Sequence, residues 1–122
     1  MGDLGEEIAL IFLKNKGFFL VEKNYEKKPY GEIDLVVKKD NKIYFFEVKT
    51  AKVNDLNLID TLRFSPMDHL DKNKIWKFER IGKIYIKEKK LKNIKYHFQA
   101  ILVYLDDKNK EVKIKLIDDL NI

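Results

Sequence analysis

Apolar residues between Asp3 and Lys16 fall at helical spacing, with Leu4, Ile8, Ile11 and Phe12 on one side and Leu10 and Leu13 on another. Gly17 stands where a helix commonly ends. A helix apolar on two sides is expected to be wedged between other elements. Glu6 lies four and seven residues before Leu10 and Leu13, so it points along the second stripe and is expected to be partly buried.

From Phe18 the period shortens to that of strands. Phe18 to Tyr25 reads as one, and the breaker-rich Glu26-Lys27-Lys28-Pro29-Tyr30-Gly31 as a turn. Glu32 to Lys38 and Ile43 to Thr50 follow as a hairpin joined at Asp40-Asn41. Ala51 to Phe64 has little periodicity and reads as a loop. Ser65-Pro66-Met67-Asp68 then has the form of a helix start, for a helix running through Leu70, Ile75, Phe78 and Ile81 toward Tyr85. The unbroken apolar run inside Tyr96 to Leu105 predicts a strand covered on both faces. In Glu111 to Ile117, Val112, Ile114 and Leu116 alternate with lysines, as in an edge strand with one wet face. The order helix, three strands, helix, two strands predicts an α/β layered fold with helices flanking a central mixed sheet. No repeat or linker interrupts residues 1–122, which read as one domain.

Composition narrows the setting. There is no cysteine, so disulfides and thiolate metal sites are excluded and a reducing, cytoplasmic environment is expected. No apolar stretch approaches membrane-spanning length. Lys+Arg number 25 against 20 Asp+Glu, a net charge of +5, which favours a polyanionic partner or equally a Lys/Glu-rich thermophile surface. Nearly all of the basic charge is lysine, which binds phosphate as a point charge and reads bases poorly. Lys72, Lys74, Lys77 and Lys83 on the second helix are candidates for tracking a phosphate backbone; as plain solvated positions they need no partner.

Candidate chemistry sits in the hairpin "GEIDLVVKKDNKIYFFEVKT". A turn centred between Asp40 and Asn41 pairs residues whose numbers sum to 81, placing Asp34 opposite Glu47 and Glu32 opposite Lys49. Carboxylates at directly opposed positions, with Cβ atoms about 5 Å apart, repel by roughly 3 kcal/mol at an effective dielectric near 20. Three remedies exist: one carboxyl keeps a proton, a lysine bridges the pair, or a divalent cation binds. Two hard oxygen ligands suit Mg²⁺ or Mn²⁺, and Lys49 is placed to hold a phosphate oxygen or a water, a set that meets the needs of metal-assisted phosphodiester hydrolysis. Glu-x-Lys by itself says nothing, since it recurs at Glu26, Glu88 and Glu111; only the Glu47 copy ends an apolar strand across from an acid. The structural alternative is a solvent-exposed hairpin face with a Glu32–Lys49 ion pair.

"GEEIALIFLKNKGFFLVEKNY", "GEIDLVV" and "FFEVKT" resemble the YraN-like family, within the PD-(D/E)XK, restriction-endonuclease-like nuclease superfamily related to Holliday junction resolvases. The resemblance covers most of the chain. It implies a metal-dependent endonuclease acting on DNA, with branched or structured DNA as a candidate substrate. Asp34, Glu47 and the carbonyl of Val48 would hold Mg²⁺ or Mn²⁺, Lys49 would assist catalysis and Glu6 would reach in from the first helix. Resolvase-like relatives pair as dimers, so a homodimer is an expectation of the same resemblance. Ala51 stands where an arginine is expected, and Gln99 where an aspartate is common. A nucleic-acid-binding protein that keeps the fold without catalysis is the alternative. His69 and His97 are expected at the surface or core edge, and Trp76 and Phe78 as helix packing.

Overall fold

The computed structural model describes residues 3–54, 56, 71–118 and 120. Its elements are α1 (Leu4–Asn15), β1 (Phe19–Lys27), β2 (Gly31–Lys39), β3 (Lys42–Lys52), α2 (Lys72–Glu88), β4 (Lys95–Asp106) and β5 (Glu111–Ile117). The five strands form one sheet in the order β1-β2-β3-β4-β5, with β3 and β4 parallel and the other neighbours antiparallel. This mixed sheet flanked by helices is the expected restriction-endonuclease-like architecture.

Each face of the sheet has its own core. On one side Ala9 and Leu13 of α1 pack on Leu35, Val37, Phe46, Val48, Ile101 and Val103. On the other, Phe78, Ile81 and Tyr85 of α2 pack on Ile33, Val36, Phe45 and Ala100. The β2–β3 turn has Asp40 and Asn41 at φ 51° and 62°, the left-handed pair of a two-residue hairpin whose twist matches its strands. At the far end of α2, the Tyr25 hydroxyl donates to Glu88 Oε1 at 2.8 Å and Lys27 pairs with the same oxygen, tying the helix to β1.

Three expectations change. The buried stripe of α1 is Gly5, Ala9 and Leu13, while Leu4 and Ile11 are exposed, so the helix lies on the sheet by one face and is not wedged. In β5, Val112 and Leu116 are exposed, because an edge strand has cover only where a helix reaches it. The second helix starts at Lys72, with Asp71 as N-cap accepting from the Lys74 amide at 2.9 Å. The start expected at Ser65 to Asp68, and His69, lie outside the described residues.

Candidate functional site

The predicted hairpin register holds from Lys39↔Lys42 to Leu35↔Phe46, every pair summing to 81, and then stops. Asp34 and Glu47 are therefore not a ladder pair. Beyond Phe46, β3 continues against β4 alone, from Glu47↔Ala100 to Lys52↔Leu105. At the same point the facing of β2 slips, since Ile33 and Val36 both belong to the α2-side core while Leu35 and Val37 belong to the other. Across from the slip, Asn24 of β1 is left-handed, at φ 52°. In the gap so opened, the Asp34 carboxylate takes the place of a ladder carbonyl and accepts the Val48 N–H at 2.7 Å. In an extended strand a residue's N–H and C=O point to the same side, so the Val48 carbonyl faces this gap too.

Glu47 and Lys49 share the face of β3 that looks toward α2. Together with Tyr30, Glu32, Lys74 and Lys77 they line a cleft of about 160 Å³. Lys49 Nζ lies 3.1 Å from Glu47 Oε1, an ion pair within β3 where the structural alternative had Lys49 paired with Glu32. The side chains of Glu47 and Lys49 are 20% and 30% exposed, whereas those of the Glu26–Lys28 pair, the same tripeptide elsewhere, are 53% and 85% exposed. Burial thus sets the Glu47 copy apart from the Glu26 copy, in keeping with its place at the end of an apolar strand.

Glu6 is brought to the same region by close packing of α1 on β3. Gly5 sits against Thr50, and a Cβ on Gly5 would run into the threonine hydroxyl. Asp3 caps the helix by accepting the Gly5 amide at 2.7 Å. Burial, together with Asp3 and Glu32, raises the Glu6 carboxyl above its ordinary value. The Asn24 amide, with its nitrogen turned inward, lies 3.0 Å from Glu6 Oε1 and 3.2 Å from Glu32 Oε1. Glu32, which the sequence register set opposite Lys49, thus joins the site together with Asn24, whose left-handed backbone no sequence pattern indicated.

Burial, then the Glu47 charge, pushes the Asp34 carboxyl up to about 7, against the pull of the Val48 N–H toward the ionised form. The chain's own answer to its crowded carboxylates is therefore twofold: raised proton affinity at Asp34 and an ammonium at Glu47. Among the described residues no three Asp, Glu or His side chains converge as a ready-made metal cage. Mg²⁺ is commonly held by one or two carboxylates with water and substrate oxygens, and the donor set of Asp34, Glu47 and the Val48 carbonyl fits that habit.

The remaining candidates divide. Lys74 and Lys77 line the cleft, Lys83 lines a neighbouring one, and Lys72 lines neither. Phe78 packs in the core as expected, but Trp76 does not; it is 55% exposed. His97 stacks on Tyr44 at 5.0 Å at the core edge, as expected.

Residues 5–103 match the model of "Uncharacterised protein family UPF0102". The chain belongs to this family. Three relatives carry the same family name. The protein of Caldicellulosiruptor saccharolyticus is 33% identical over 96% of this chain and 92% of its own length. That of Dictyoglomus thermophilum is 33% identical over 90% and 86%, and that of Clostridium botulinum 35% identical over 96% and 89%. UPF0102 is the YraN-like family that the hairpin and first-helix motifs resemble. No helix among the described residues of this UPF0102 protein is long and apolar enough to cross a membrane.

Proposed function

We propose that this UPF0102 protein is a divalent-metal-dependent endonuclease that hydrolyses DNA phosphodiester bonds at the gap between β2 and β3. The observation that carries the reading is Asp34, a carboxyl held in place by a main-chain amide yet buried, and set near the charges of Glu47, Glu6 and Glu32, so that its ionised form is disfavoured. A fold that keeps an acid under such repulsion benefits when positive charge arrives. Asp34, Glu47 and the Val48 carbonyl would hold Mg²⁺ or Mn²⁺, with Glu6 and Asn24 behind them. When bound, such an ion polarises a phosphate oxygen and lowers the pKa of water.

The chain's own residues do the rest. Lys49 would exchange its contact with Glu47 for a non-bridging phosphate oxygen or the attacking water, stabilising charge as the P–O bond to the leaving oxygen breaks. Lys74 and Lys77 would seat the flanking phosphates from the α2 wall of the cleft. The alternative, a protein that binds nucleic acid without cutting it, draws on one feature: the Lys49 ammonium already neutralises Glu47.

Calorimetry with Mn²⁺ at pH 8 tests the metal set. Wild type should bind and Asp34→Ala should not; equal heats from both would remove the proposal. Cleavage of linear, flapped and four-way DNA, with Lys49→Ala as control, then separates a nuclease from a binder. Cutting that survives in Lys49→Ala at the wild-type rate would take Lys49 out of the reaction.

A further inference from the structure

Next to the carboxylate cleft, on the outer face of α2, lies a second and larger one of about 370 Å³, lined by Trp76, Glu79, Arg80, Lys83, Ile84 and Lys87. Two observations connect it with the first. Tyr30, which lines the carboxylate cleft, has the Arg80 guanidinium over its ring at 4.1 Å, and the same guanidinium lies 5.4 Å from the Trp76 ring. Tyr30, Arg80 and Trp76 thus form one cation–aromatic array that begins in the carboxylate cleft and ends in the larger one. Its aromatic members are open, with Trp76 55% and Tyr30 38% exposed.

A large aromatic ring held by a guanidinium and left facing solvent is poorly explained as packing, since Phe78, two residues from Trp76, serves that purpose and is buried. Trp76, Arg80, Lys83 and Lys87 follow one another at helical spacing, so they form a ridge about 16 Å long at 1.5 Å per residue. Glu79 is the one acid among the described lining residues. An aromatic face followed by a line of cations matches a nucleic-acid strand whose base is free to stack and whose phosphates follow. A fully paired duplex offers its phosphates to such a ridge but keeps its base faces hidden.

We infer that Tyr30, Arg80 and Trp76 form a stacking platform for an unpaired nucleotide beside the carboxylate cleft, making the preferred substrate a strand that is single-stranded next to the bond to be cut. The inference rests on the proposed nuclease site only for the fate of that strand. The binding step stands apart and is tested without cleavage.

Trp76 is the sole tryptophan of the chain, so its fluorescence reports the platform directly. In EDTA, wild-type protein would be titrated with a 12-nucleotide oligothymidylate, a blunt duplex of the same length and a 12-nucleotide oligouridylate. The single strand should quench Trp76 and bind more tightly than the duplex; quenching by either sugar type supports the platform, since stacking reads the base. By anisotropy of a labelled strand, Trp76→Ala and Arg80→Ala should each weaken single-strand binding roughly tenfold, while Trp76→Phe retains most of it. Circular dichroism melts check that the variants fold, which their exposed positions favour. Equal binding and quenching by duplex and single strand, or undiminished single-strand affinity in folded Trp76→Ala, would overturn the platform. Neither result touches the carboxylate site, whose own failure would show as absent Mn²⁺ binding with the quenching intact.

Discussion

At Asp34 burial and the Glu47 charge favour the protonated carboxyl, while the Val48 N–H favours the ionised one, and the first two win. The sign of the resulting pH dependence follows. The carboxyl ionises near 3.8 in the unfolded chain and about 7 in the folded one, so between those values the folded chain keeps a proton the unfolded chain has released. This contribution to stability is complete below the lower value and is lost as pH rises through the upper one, a loss of up to roughly 4 kcal/mol by linkage. Asp34→Asn keeps an acceptor for the Val48 amide and removes the charge. In EDTA it should melt at a higher temperature than wild type at pH 8 and at nearly the same temperature at pH 4. Identical melting at pH 8 would mean that burial and the Glu47 charge do not disfavour the ionised Asp34 carboxyl. Sequence register brought Asp34 and Glu47 near each other but paired them directly. The Val48 amide donates to Asp34 where the facing of β2 slips, and alternation patterns assume that no such slip occurs.

Strands, turns and the hairpin register were legible because they are written in local period and turn chemistry. Cover was not, because it depends on which element arrives from elsewhere in the chain. This is why Leu4, Ile11, Val112 and Leu116, all at sensible apolar spacing, face solvent, while the small residues Gly5 and Ala9 form the contact line of α1. Gly5 shows the consequence for the site. Replacing it with alanine gains up to about 1 kcal/mol of helix propensity, but the new methyl group meets Thr50 and forces α1 off β3. Overpacking of this kind commonly costs about 1 to 3 kcal/mol, so the clash should win. Gly5→Ala is expected to lower the denaturant midpoint, and adding Thr50→Ala, which clears the space, should restore most of it. If the second substitution recovers nothing, the close approach of α1 to β3 is not what fixes Glu6 in place.

The charge of the whole molecule acts through where it is displayed. Excess lysine gave a net charge of +5 but no location, and the four candidates on α2 have proved unequal: Lys74 and Lys77 reach the carboxylate cleft, Lys83 the larger one, and Lys72 neither. Release of counterions turns that geometry into a measurable slope. Each phosphate neutralised on a single strand contributes about −0.7 to the dependence of log K on log salt. Lys74→Ala and Lys77→Ala should therefore each make the slope shallower by about 0.7. Lys92→Ala, an exposed change in the segment between α2 and β4, should leave it unaltered. Lys72→Ala tests the distinction within one helix, since by position it belongs with Lys92 and by sequence with Lys74. If Lys72→Ala and Lys92→Ala flatten the slope as much as the cleft lysines do, the protein meets nucleic acid through its general basicity, and the cleft has no privileged part in seating the strand.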